Sequence, residues 1–513
     1  MKNSFFKTSL LLFSLSCWAF SNEKPVYTIV DTGQNNYYDN QSYSSKPQMN
    51  DAFFGQDASY LGFQANYTNN GDGTTTDNNT QLIWQKLISE KLTWKQAVES
   101  ANNSNLAGFN DWRIPTIKEL YSLMNFSGVT GTSKNKDTTV PYNAKPYINT
   151  KYFDFEYSKE NRYIDAQYWT KTDYVSTTMN GAKTFFGVNF ADGRIKGYPK
   201  YSKGGFGRSK FYLRLVRGNE NYGKNDFIDN NDGTIYDEAT QLTWMKSDSG
   251  SEQFNALGLS GALNWEKALL FCENLNYANS DTWRLPNAKE LQSIVDYTRS
   301  PDTTSSAAIN ELFNTTSIIN ANASTDYPFY WTSTTHLDGF QMGNSAVYIA
   351  FGRALGYMND RRTGSRNLLD VHGAGAQRSD PKSGDASRFQ YGRGPQGDVI
   401  AINNYVRCVK DNYTIINEND YEKVKVSSQN NRPPRFENEN REGNGNFQES
   451  SNQNSSSSKR SHPVLNRFDT NKDNKISYEE APGKMKENFK RHDMNGNGYI
   501  EDEELSSLPG PRR

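Results

Sequence analysis

Two stretches near the C-terminus space hard oxygen donors at intervals that suit one cation each. Asp469, Asn471, Asp473, Lys475, Ser477 and Glu480 stand at positions 1, 3, 5, 7, 9 and 12 of a loop, and Asp493, Asn495, Asn497, Tyr499, Glu501 and Glu504 repeat the set. Alternate side chains converge on one centre, and the position-seven carbonyl (Lys475, Tyr499) adds an oxygen. Glu480 or Glu504 closes the shell with both carboxylate oxygens, as Ca2+ requires. Gly498 meets the sharp turn at position six. Asn474 takes that place in the first loop, and Asn visits left-handed geometry more readily than most residues. Ile476 and Ile500, at position eight, are placed to pair across the loops. This chemistry holds an ion and breaks no bond.

The two loops resemble the tandem EF-hands of exported bacterial proteins. The resemblance implies a compact all-α pair over 461–513, with Phe468, Met485, Phe489 and Leu505 as apolar contacts of the flanking helices. A second calcium claim fails on spacing: Asp229, Asn231 and Asp232 fall at 1, 3 and 4, so Asp232-Gly233, like Asp72-Gly73, reads as a hairpin turn.

Other chemistry is thinner. Lys196, Lys200, Lys203, Arg208 and Lys210 lie among Tyr198, Tyr201, Phe206, Phe211 and Tyr212. Cations beside rings suit an acidic or sulfated polysaccharide, although a solvated loop of scattered charge fits the same residues. Arg353, Arg361, Arg362 and Arg366 form a similar group. Four histidines (His336, His372, His462, His492) accompany no nucleophile elbow, zinc spacing or phosphate loop, so no enzyme is expected. With a net charge of −1 over 513 residues, no global field favours nucleic acid.

The elements that carry these residues come in duplicate. Residues 22–218 and 219–411 are two copies of one unit. Gln81-Leu82-Ile83-Trp84 answers Gln241-Leu242-Thr243-Trp244, and Trp94 answers Trp265. Trp112-Arg113-Ile114-Pro115-Thr116-Ile117-Lys118-Glu119-Leu120 answers Trp283-Arg284-Leu285-Pro286-Asn287-Ala288-Lys289-Glu290-Leu291. Tyr168-Trp169-Thr170 answers Tyr330-Trp331-Thr332, and Tyr212-Leu213-Arg214-Leu215-Val216 answers Tyr405-Val406-Arg407-Cys408-Val409. Trp94, Ala97, Val98 and Ala101, like Trp265, Ala268, Leu269 and Cys272, follow helical spacing. Thr116 with Glu119, and Asn287 with Glu290, form capping boxes that start a second helix. The aromatic and β-branched blocks at 185–190, 211–216, 347–351 and 405–409 read as strands. Gly-, Arg- and Ser-rich residues 360–398 read as a surface loop.

At the blocks Asp31-Thr32-Gly33-Gln34, Phe54-Gly55-Gln56-Asp57, Asn-Gly-Asp-Gly-Thr, Leu-x-Trp and Trp-Arg-Leu-Pro-x-x-x-Glu-Leu, the chain resembles the Lcl C-terminal domain family of exported bacterial adhesins. That family looks distantly similar to C-type-lectin-like folds. The resemblance implies adhesion or glycan binding, and the fold class expected is α+β: two C-type-lectin-like repeats plus a small all-α EF-hand pair. The calcium-dependent lectin triplets are absent, so any sugar must use another surface. An envelope protein is the alternative partner.

The ends complete the organisation. Residues 1–21 read as a signal peptide, with Lys2 and Lys7 before a short apolar run and Ala19-Phe20-Ser21 before the cut. The expected location is therefore exported: secreted, cell surface or periplasm. Cys17 raises lipidation as an alternative. No run is long enough to span a bilayer after signal removal. Cleavage leaves Cys272 and Cys408 in an oxidising compartment, where a pair usually bonds. Their counterparts, Ala101 and Leu215, are both apolar, as loss of a bonded pair would leave them. Two separately buried thiols are the alternative. Residues 412–460, rich in Asn, Gln, Ser, Glu and Arg, are expected to be a disordered linker.

Overall fold

The computed structural model describes residues 25–49, 51–132, 138–201, 209–257, 260–359, 363–411, 475–477, 480–481, 486 and 499–501. The proposed signal peptide, Cys17 and the whole 412–460 linker lie outside them. The chain divides after Asp420 into two compact units. The expected α+β class is overturned, because strand dominates. Among the described residues there are twenty-three strands against four α-helices, α1 (Trp94–Asn102), α2 (Ile117–Ser122), α3 (Trp265–Glu273) and α4 (Ala288–Ser293). The capping boxes form as anticipated at Thr116 and Asn287, but the helices they start are six residues long.

The first unit is built twice. In repeat one Tyr67–Asn69, Thr74–Asp77, Leu82–Gln85 and Val216–Gly218 make a four-stranded antiparallel sheet. Phe227–Asp229, Thr234–Asp237, Leu242–Met245 and Val409–Asp411 repeat it. Asp72 and Asp232 are turn residues: each Oδ1 accepts the N–H and hydroxyl of Thr74 or Thr234, and Gly73 and Gly233 take positive φ. The closing strands start later than the sequence suggests. Phe211, Tyr212, Asn404 and Tyr405 make isolated bridges, and Arg214 and Arg407 after them are buried. Arg214 donates to the carbonyls of Gln85, Lys86 and Asp154; Arg407 donates to those of Met245, Lys246 and Asn314.

Both repeats share one seven-stranded sheet. Its order is Phe329–His336, Ser345–Ala350, Gln377–Pro381, Arg194–Pro199, Ala182–Asn189 and Gln167–Tyr168, with Asp173–Thr178 also pairing Ala182–Asn189. The expected surface loop at 360–398 therefore contributes a central strand, Gln377–Pro381, and a hairpin strand, Arg366–Asp370. Helices α2 and α4 pack on one face of this sheet and on each other. Pro199-Lys200 and Pro381-Lys382 hold matching positions: Lys200 lies over the Trp94 ring at 4.1 Å, and Lys382 over Trp265 at 3.8 Å. Counting back from them, Ile195 and Gln377 are counterparts, and these two residues pair with each other. Counterpart pairing with counterpart marks a local two-fold relation, the geometry of an isologous dimer within one chain.

One disulfide joins α3 to the segment before the last strand, Cys272 to Cys408, across 136 residues. Ala101 and Leu215 occupy the equivalent buried place in repeat one.

In the second unit, the described residues form a ribbon of Lys475–Ser477 and Tyr499–Glu501. An all-α pair is not evident among the described residues, which corrects that part of the expectation. The paired position-eight residues favour extended backbone at the loop centres.

Candidate functional site

The ribbon is the described part of the expected calcium loops. Ile476 faces Ile500 in register, with Lys475 opposite Glu501 and Ser477 opposite Tyr499. Both isoleucines are fully buried. Glu480 Oε2 accepts from the Ser477 N–H at 2.9 Å and hydroxyl at 2.8 Å, while the Glu480 N–H donates back to Ser477 Oγ at 3.4 Å. This reciprocal pair is a capping box, and it holds the position-nine and position-twelve side chains of loop one together. Asp469, Asn471, Asp473, Asp493, Asn495, Asn497 and Glu504 lie outside the described residues. Among the described residues no group of three or more His, Cys, Asp or Glu is placed to hold a metal.

The basic cluster of repeat one is not a single surface. Lys196 points inward to Asp192 at 3.2 Å, and burial pushes its amine down to about 8. Lys200 pairs with Asp173 at 2.5 Å as well as covering Trp94. Lys210 is exposed, and Lys203 and Arg208 lie outside the described residues. In repeat two Arg353 pairs with Asp302 and Asp326, and Arg366 lies over the Tyr391 ring at 4.1 Å. Arg361 and Arg362 lie outside the described residues.

Where the repeats meet, the shared sheet carries charges that sequence reasoning missed. Arg194 of repeat one reaches Asp338 of repeat two at 2.5 Å and Ser379 at 3.2 Å. Arg378, the counterpart of Lys196, pairs with Asp398, which also receives His372 Nε2 at 2.9 Å. His336 sits between the repeats, with Nδ1 on Ser379 Oγ at 2.8 Å and Nε2 on the Asp192 carbonyl at 2.9 Å. Burial and then the Arg194 charge bring His336 down to about 3, and burial brings His372 down to about 4. Both shifts favour the neutral imidazole. Burial opposes ionisation of Asp398, but the Arg378 charge, with the His372 hydrogen bond, outweighs it and holds the carboxylate below its usual range. The network joins the repeats through buried, mutually paired charges. Of its members the sequence singles out Lys196, as one of a basic run, and His336 and His372, as histidines without a motif.

A second junction lies between α2 and α4. Lys118 Nζ donates to the carbonyl of Ser293, ending α4, at 2.6 Å, and Lys289 Nζ donates to that of Ser122, ending α2, at 2.8 Å. Each lysine caps the other repeat's helix, and burial pushes both down to about 8. The Arg113–Glu119 and Arg284–Glu290 forks brace the starts of the same helices. Lys118, Lys289, Tyr27 and Tyr222 help line a cavity of ≈ 10 Å³ here, room for about one water molecule.

The family model for the Lcl C-terminal domain matches residues 73–217 and again 233–369, together more than half of the chain. The chain belongs to the Lcl C-terminal domain family. The two Lcl C-terminal domains follow one another, and the first match ends inside the closing strand of its sheet. The second match ends inside the hairpin strand Arg366–Asp370, before both the central strand at Gln377 and Cys408. No curated protein and no solved structure matched the chain. Among the described residues no helix is long and apolar enough to cross a membrane.

Proposed function

We propose that this is an exported, non-catalytic binding protein whose paired Lcl C-terminal domains grip an acidic or sulfated polysaccharide and whose tail loops bind calcium. The observation that carries the calcium reading is the in-register pairing of Ile476 with Ile500. It relates the two loops at position eight, as two cation loops that fold as a unit require. The residues present fit the ion. Lys475 and Tyr499 offer main-chain carbonyls, and Ser477 and Glu480 offer side-chain oxygens already side by side. Asp469, Asn471 and Asp473 complete loop one; Asp493, Asn495, Asn497, Glu501 and Glu504 complete loop two. A bound ion neutralises these carboxylates and stabilises the tail by linkage.

The polysaccharide reading rests on exposed Lys210, on Lys200 over the Trp94 ring, and on Lys203 and Arg208 among aromatic residues in the sequence, with Lys196 committed to Asp192 and Lys200 also paired with Asp173. Retention of the full chain on a sulfated-polysaccharide resin tests it. Elution at modest salt, earlier for Lys210→Glu than for the unaltered chain, supports the reading. Passage through the resin without delay rejects it. The second reading, an envelope scaffold that binds protein, is favoured by the partly exposed stripe on α1 described next.

A further inference from the structure

The two helix faces that should match by the internal two-fold differ in what covers them. On α3 the stripe Trp265, Leu269 and Glu273 is covered at Trp265 and Glu273 by residues from the 34–60 stretch, which opens repeat one in sequence. Phe53 stacks on Trp265 with ring centroids 6.1 Å apart, and Tyr60 donates its hydroxyl to Glu273 at 2.7 Å. Gly55 sits so close to Glu273 that an added Cβ would lie 2.2 Å from Oε1. Lys382, over Trp265, donates to the carbonyls of Tyr38 and Asp39 at 3.2 and 3.0 Å. The Gln34 side-chain amide pairs with both the N–H and the carbonyl of Thr335, each at 2.8 Å, where the adjacent strand bulges.

Repeat one presents Trp94, Val98 and Asn102 at the same helical positions, and every one is more exposed than its counterpart. Trp265 and Leu269 are buried and Glu273 half-buried; Trp94 and Val98 are half-buried and Asn102 is exposed. Lys200 stands where Lys382 does, and it pairs with exposed Asp173 in place of main-chain carbonyls. The linker between the repeats passes from Tyr222, the partner of Tyr27 in ring packing, to Phe227 within a few residues. Nothing comparable to residues 34–60 is inserted there.

We infer that the Trp94–Val98–Asn102 stripe of repeat one is a docking surface for a polypeptide segment of another protein, with the chemistry of this chain's own residues 34–60. Such a segment carries an aromatic side chain for Trp94 and main-chain carbonyls for Lys200. It is acidic: residues 34–60 hold Asp39 and Asp51 against Lys46, with Asp57 buried and turned to Thr32 and Thr334, while exposed Lys95, 3.7 Å from Glu99, and exposed Lys210, next to the Leu92–Phe211 bridge, border the repeat-one face. An aromatic anchor with a charged rim is how compact interfaces concentrate affinity. The covered face of repeat two is the built example, held in place by its covalent connection to the body. The inference stands on the repeat geometry and needs neither the calcium nor the polysaccharide reading.

The test is calorimetric titration of the full chain, in EDTA, with a synthetic peptide of residues 34–60. One-to-one binding is expected, weakened at least tenfold by Val98→Asp and by the paired change Lys95→Glu with Lys210→Glu. Both variants alter partly or fully exposed positions, and circular dichroism checks that they fold. No binding, or binding that both variants leave unchanged, overturns the inference, the latter because the peptide would then be displacing its own counterpart on repeat two. A heparin-derived oligosaccharide that binds and is lost with Val98→Asp, while the peptide fails to bind, assigns the face to glycan and also overturns it.

Discussion

Lys118 of the first repeat and Lys289 of the second exchange hydrogen bonds with each other's helix ends, Lys118 to the Ser293 carbonyl and Lys289 to the Ser122 carbonyl. Lys289 also donates to the Asp31 carbonyl at 2.9 Å. Replacing either lysine by Met keeps the stem and leaves buried carbonyls unmet. Each change should lower stability by about 1.5–3 kcal/mol, the range for hydrogen bonds to a charged donor. Urea unfolding of the full chain measures it, and a loss near zero for both would remove the reciprocal caps from the account.

The disulfide predicts a graded pair of variants. Removing the Cys272–Cys408 link frees a loop spanning 136 positions, worth roughly 5 kcal/mol on the chain-entropy model. Cys272→Ala with Cys408→Leu copies the Ala101 and Leu215 packing of repeat one. It should fold and lose less than Cys272→Ser with Cys408→Ser, which buries two hydroxyls. Thermal midpoints in that order support the equivalence of the two cores; the reverse order contradicts it.

Asp57 sets a pH dependence. Burial, then the neighbouring Asp31 carboxylate, raises it from 3.8 to about 8, while the hydroxyls of Thr32 and Thr334 donate to Oδ2. The folded chain therefore holds this proton more tightly than the unfolded chain. Its stabilising contribution is complete below pH 3.8 and is lost as pH rises through about 8. Relative to Asp57→Asn, the unaltered chain should lose stability between pH 4 and 8. Parallel midpoint-against-pH curves for the two proteins would show that Asp57 stays ionised.

The sequence makes local devices visible and long-range ones faint. The capping boxes at Thr116 and Asn287, the helical stripes from Trp94 and Trp265, and the duplicated order of blocks need only neighbouring residues to be recognised. The central strand Gln377-Arg378-Ser379-Asp380-Pro381 has no apolar alternation, because it is polar up to Pro381, with Arg378, Ser379 and Asp380 satisfied by Asp398, His336 and the Ala401 N–H. A strand whose burial depends on partners twenty or more positions away looks like a loop. Lys200 misleads for the same reason, since its partner Asp173 is far off in sequence, and Lys196 because its near neighbour Asp192 faces it only across the turn into its strand. The α+β expectation weighted strong helix signals over short strands that matter only when paired. The cover on α3 was equally faint, because residues 34–60 belong by order to repeat one and by contact to repeat two.

Calcium titration of the full, EDTA-stripped chain by calorimetry tests the central claim most directly. Two bound ions per chain are predicted, one with Glu480→Gln and none when Glu504→Gln is added, because each substitution removes the bidentate ligand that closes a shell. A chain that gives no heat with calcium, or that binds two ions regardless of both substitutions, would contradict the account.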